Sequence, residues 1–66
     1  MTFHPPSAEL AAIERTLHDV ALRLAAIGLE AKADPAGERL SVELFAVESQ
    51  VRAGVRRLDS VVRRLR

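Results

Sequence analysis

Ile13-Glu14-Arg15-Thr16-Leu17-His18-Asp19-Val20, followed without a break by Ala21-Leu22-Arg23-Leu24-Ala25-Ala26-Ile27-Gly28-Leu29, decides how this chain folds. Its large apolar side chains return every three or four residues, the period of one face of an α-helix and not of a strand. Outward from this stretch, Leu10, Leu17, Leu24 and Ala31 recur every seven residues, and Ile13, Val20 and Ile27 sit three residues after the first three of them. Two rows at that spacing are the a/d seam of a packed helix. The seam predicts a helix from about Ala8 to about Lys32. Leu22, Leu29, Ala25 and Ala26 fall off it, and a helix apolar on more than one side has more than one neighbour. Gly28 costs the helix about 1 kcal/mol of propensity, which a close helix contact would offset.

Upstream, Met1 to Pro6 has no periodicity, and each proline of Pro5-Pro6 disfavours helix at the residue before it. Residues 1–6 are therefore expected to form a flexible arm, with His4 solvated. Ser7 is placed to cap the helix, and Glu9 lies near the positive end of its dipole. Downstream, Asp34-Pro35 reads as a stop and a restart, with aspartate as N-cap and proline at the first helical position. A second helix is expected from about Pro35 to about Leu65, with Leu40, Leu44, Val47, Val51, Leu58, Val61 and Leu65 on one heptad and Gly54 taking a seam position. Val55 and Val62 widen that stripe, and Phe45 lies off it. Arg52, Arg56, Arg57, Arg63, Arg64 and Arg66 fall on outward positions, where they suit the negative end of the helix dipole. A short link between two long helices makes an antiparallel hairpin. Residues 7–66 are thus expected to be one all-α unit.

Sixty-six residues bury a small share of their surface, and such scaffolds usually need a staple. The chain has no cysteine, and His4 and His18 are too far apart for a helical metal pair, so neither a disulfide nor a metal or other cofactor is expected. Association remains. The simplest form is a homodimer in which two hairpins make a four-helix bundle or short coiled coil, and a helical partner protein would serve the same surface. Leu22, Leu29 and Phe45, outside the hairpin seam, are the candidate interface residues. The net charge of +1 hides an asymmetry: residues 1–38 carry three bases against six acids, residues 39–66 seven against three. A near-neutral chain with no aromatic residue among its arginines fits nucleic-acid binding poorly. No stretch approaches a membrane span and the N-terminus lacks signal-peptide features, so a cytoplasmic protein with no membrane association is expected.

Chemistry, if present, centres on His18. Histidine titrates near neutrality, and a neutral imidazole nitrogen is a competent nucleophile when a carboxylate holds the proton on the other nitrogen. Asp19 follows it, and Glu14 lies one turn earlier. The same residues also fit a surface ladder, Glu14 with His18 and Arg15 with Asp19, each i,i+4 pair contributing a few tenths of a kcal/mol, about 0.2–0.5.

Glu14-Arg15-Thr16-Leu17-His18-Asp19 resembles the phosphoacceptor box, Glu-Arg-x-Leu-His-Asp, of the dimerisation and histidine-phosphotransfer domains of sensor histidine kinases. The similarity extends through Arg23-Leu24-Ala25-Ala26-Ile27-Gly28-Leu29, the Asp34-Pro35 restart, and Arg52 to Leu65. It departs at Val20-Ala21-Leu22, where that family usually has a polar residue. The resemblance implies a hairpin that dimerises into a four-helix bundle, with His18 as phosphoacceptor, Asp19 as its helping base, and a response regulator or a kinase's ATP-binding domain as partner. These residues hold no ATP-binding domain, so a self-sufficient enzyme is not expected. The other expectation is a non-catalytic interaction hairpin that masks a partner helix. In size and shape alone that is similar to the small co-chaperones of type III secretion systems.

Overall fold

In the computed structural model, which describes residues 3–65, the chain is an antiparallel helical hairpin: α1, Ser7–Lys32; a single 3-10 turn, Pro35–Gly37; and α2, Glu38–Arg64. No strand occurs among the described residues. Alanine and leucine, the best helix formers, dominate α1 and support its 26 residues. Residues 3–6 precede the helix with no regular structure, and Phe3 and His4 are exposed. Met1 and Thr2 of the expected arm, and Arg66 of the arginine series, lie outside the described residues.

Both helix starts differ in detail from the sequence reading. Ser7 is the first residue of α1 and does not cap it. Pro6 takes the cap position, with no side-chain bond, and its carbonyl accepts from the Leu10 N–H at 3.0 Å. At the hairpin tip, Asp34 does cap: in extended backbone (φ −104, ψ 124), its carboxylate accepts from the Ala36 N–H at 2.9 Å. The turn it caps is the 3-10 turn carrying Pro35, and α2 begins only after Gly37. Gly37 has an ordinary φ of −98, so its backbone conformation does not demand glycine. Space does: a Cβ there would stand 2.5 Å from the Ala31 carbonyl oxygen.

The larger difference is rotational. The half-buried inner rows are as expected, Leu10, Leu17 and Leu24 on α1 and Leu44, Val51 and Leu58 on α2. The row of α1 turned most directly to α2, however, is Glu14, Ala21 and Gly28, and its counterpart on α2 is Ser41, Glu48, Val55 and Val62. Ala21, Gly28, Ser41 and Val62 are the buried residues, and no large side chain is fully buried among the described residues. Ile13, Val20 and Ile27, expected to lie in the seam with α2, are 43%, 40% and 49% exposed. The reason is steric. The helices approach closely at the small residues Ala21, Gly28 and Ser41, and the Phe45 ring packs onto Gly28, where an added Cβ would stand 3.0 Å from its Cζ. This is the close contact that offsets the helix penalty of Gly28. Ser41, buried against α1, has its hydroxyl donating to the Glu38 carbonyl at 2.6 Å, so its burial leaves no polar atom unsatisfied.

The product is long and thin, 58 × 15 × 14 Å, with a radius of gyration of 15.7 Å. A compact chain of this length would have a radius of gyration of about 11 Å. Its accessible surface is 5285 Å², whereas a compact monomer of 7.2 kDa exposes about 4,100 Å².

Candidate functional site

Successive residues turn by about 100° along an α-helix, and in an antiparallel pair the same angular offset from the contact line falls on the same side of both helices. On α1, Leu10, Leu17 and Leu24 lie to one side of the contact row, with Ile13, Val20 and Ile27 beyond them. On α2, Leu44, Val51 and Leu58 lie to that same side, with Leu40, Val47, Gly54 and Val61 beyond. One broad side of the hairpin is therefore apolar from end to end. Of its outer rows, Ile13, Val20, Ile27, Leu40 and Val47 are exposed, and Gly54 is exposed between Val47 and Val61. Exposure on this scale is well beyond the isolated surface apolar residues of ordinary monomers.

The opposite side is mixed, and it carries the candidate chemical residues. His18 and Asp19 are exposed there beside exposed Arg15 and half-buried Glu14, and with Val55 of α2 they line an open depression of about 360 Å³. The helical repeat brings the group together: Glu14 and His18, like Arg15 and Asp19, are one turn apart. The imidazole thus has solvent access, with carboxylates one turn before it and directly after it. Ion pairs on α2 include Glu48 with Arg52, and Asp59 with Arg63, both at i,i+4. Such pairs contribute about 0.3–0.5 kcal/mol each at a helix surface. No group of three or more potential metal ligands is formed among the described residues, and none of their helices is long and apolar enough to cross a membrane.

The three interface candidates from sequence separate. Leu22 and Leu29 are exposed, on the mixed side. Phe45 is half-buried and its ring is engaged within the hairpin, against Gly28. The rows that sequence reasoning assigned to the hairpin seam supply Ile13, Val20 and Ile27 on α1 and Leu40 and Val47 on α2, five of the ten exposed large apolar residues among the described residues, the others being Phe3, Leu22, Leu29, Val42 and Leu65. A signal for this was present: the facing positions Ala21, Gly28 and Ser41 are too small to be the centre of a stripe whose large residues lie to one side.

No protein-family model matches this chain, and no curated protein or solved structure matches it either.

Proposed function

We propose that this chain is a protein–protein interaction module, a helical hairpin that completes a bundle with another helical surface. One observation carries the reading: an apolar side running the length of both helices, with Ile13, Val20, Ile27, Leu40 and Val47 still exposed after the hairpin has formed. The hairpin's own core is small. Among the described residues the apolar side chains that are buried rather than half-buried are Ala21 and Val62, and burying one Val-sized side chain contributes only about 1.5–3 kcal/mol. Covering the apolar side would add many such contributions. The test is to dilute the chain while following helical circular dichroism and the fluorescence of a hydrophobic dye. Helicity is expected to fall on dilution, or the dye to bind an uncovered face. A dye-silent monomer with a cooperative, concentration-independent melt rejects the reading.

A second reading is favoured by the placement of His18, exposed next to Asp19 and one turn from Glu14, on the side away from the apolar face. In it, His18 is a phosphoacceptor serving two-component signalling, with a response regulator or a kinase's ATP-binding domain as donor. One imidazole nitrogen attacks the phosphorus of an aspartyl phosphate, the N–P bond forms as the O–P bond breaks, and the carboxylate leaves. A neighbouring carboxylate holds the proton on the other nitrogen. Incubation with a small acyl phosphate, or with a phosphorylated response regulator, is expected to give an acid-labile modification that His18→Gln lacks. Asp19→Asn is expected to slow its formation without changing the melt. No modification with either donor, or equal modification of the His18→Gln chain, rejects this reading and leaves the first untouched.

A further inference from the structure

We infer that the occupant of the apolar side is a second copy of this chain, and that Gly54 is the notch into which that copy's side chains fit. The inference rests on the interaction-module reading and names its partner. Area is the first argument. The hairpin exposes about 1,200 Å² more than a compact monomer of its mass. A stable interface takes about 800 Å² from each partner. The apolar side runs along helices of 26 and 27 residues, about 40 Å, across the 15 Å width of the molecule, and another hairpin of the same length matches it from end to end. With a formal net charge of only +1, two copies do not repel.

Gly54 supplies an independent argument. It sits in the middle of α2, on the outer apolar row, and a Cβ built on it meets nothing within 4 Å. Nothing within one hairpin therefore calls for glycine, although glycine weakens the helix at that point. A neighbour approaching from outside does call for it, because a missing side chain between Val47 and Val61 is a hole for a facing knob. Gly28 is the example within the chain, a mid-helix glycine occupied by the Phe45 ring.

The edges of the face argue against a lipid occupant. Glu9, Arg23 and Glu30 border it on α1, and Glu43, Arg57 and Arg64 on α2, all exposed. Mixed charge suits the rim of a protein interface; an anionic membrane surface selects for basic residues alone. Pairing through this side also leaves His18 and the exposed Leu22 and Leu29 on the outside of both copies.

The test is sedimentation of the full chain at micromolar concentration, with Gly54→Leu, Val20→Lys and Leu22→Asp variants beside it. The chain is expected to be a dimer. Gly54→Leu is expected to weaken dimerisation by about tenfold or more through overpacking, although leucine is the better helix former, so loss of helix propensity cannot be the cause. Val20→Lys is expected to do the same, and Leu22→Asp to leave the dimer unchanged. A dimer insensitive to both Gly54→Leu and Val20→Lys overturns the inference, because the copies then meet elsewhere. A dye-binding monomer also overturns it, but leaves the interaction-module reading standing with a different protein as partner. So does a monomer that gains helicity only on vesicles containing anionic lipid, which moves the occupant to a membrane. A dye-silent, cooperatively melting monomer removes both.

Discussion

Ala21→Asp is expected to abolish the hairpin, leaving a chain with little helical signal at any practical concentration. Ala21 has no exposed surface and faces α2 near the middle of α1, in the row through which the two helices touch. The half-buried Arg52 of α2 is already paired with Glu48, so a carboxylate at residue 21 would lose water without a cation of its own, or the helices would have to part. Leaving an uncompensated charge in such a place costs about 3–5 kcal/mol. At about 0.05–0.15 kcal/mol per residue, a chain of this length has only about 3–10 kcal/mol in total. The comparison is the next residue. Leu22 is 49% exposed on the mixed side, and Leu22→Asp is expected to shift stability by no more than about 0.5 kcal/mol. Thermal melts by circular dichroism separate the two. Equal loss of helix in both variants would mean that the facing row has been misplaced, and the apolar side with it.

Gly37→Ala is the second large effect, and its sign is the informative part. With φ at −98, residue 37 lies in a region that alanine adopts freely. On backbone grounds alone the substitution should stabilise the chain by about 0.4–1 kcal/mol through the unfolded state. The structure reverses this, because the new Cβ would stand 2.5 Å from the Ala31 carbonyl oxygen and 3.1 Å from its carbonyl carbon. Those are backbone atoms at the end of α1 and cannot swing aside as a side chain would. The link between the helices would have to shift, at about 1–3 kcal/mol, the range for overpacked sites. A lower melting temperature for Gly37→Ala, measured at matched concentration, is the expected result. A higher one would show that the tip of the hairpin is looser than its geometry implies.

Glu14 with His18, and Arg15 with Asp19, were legible in the sequence as pairs one turn apart, because an i,i+4 spacing makes residues neighbours on a helix surface whatever the helix packs against. The exposure of His18 was legible too, since a histidine between acids and next to a seam leucine lies at the seam's edge. The role of Phe45 was not. It falls off the heptad of its own helix, and only the opposing gap at Gly28, a residue 17 positions away in the chain, shows where the ring goes. The same limit applies to Gly37, whose constraint comes from the Ala31 carbonyl and not from any torsion angle.

What the amino-acid sequence by itself determined was the pair of helices, the break at Asp34-Pro35 and the antiparallel return, since these depend on local propensity, capping and link length. The heptad rows were also there to be counted, but not the direction in which they point. A period of seven states that a stripe exists; it does not state which neighbour lies opposite. That was decided in three dimensions by side-chain size. Ala21, Gly28 and Ser41 let the helices meet along a line beside the stripe, and Ile13, Val20, Ile27, Leu40 and Val47 were turned outward, because two helices come together where their small residues allow it and leave their large ones to whatever lies beyond.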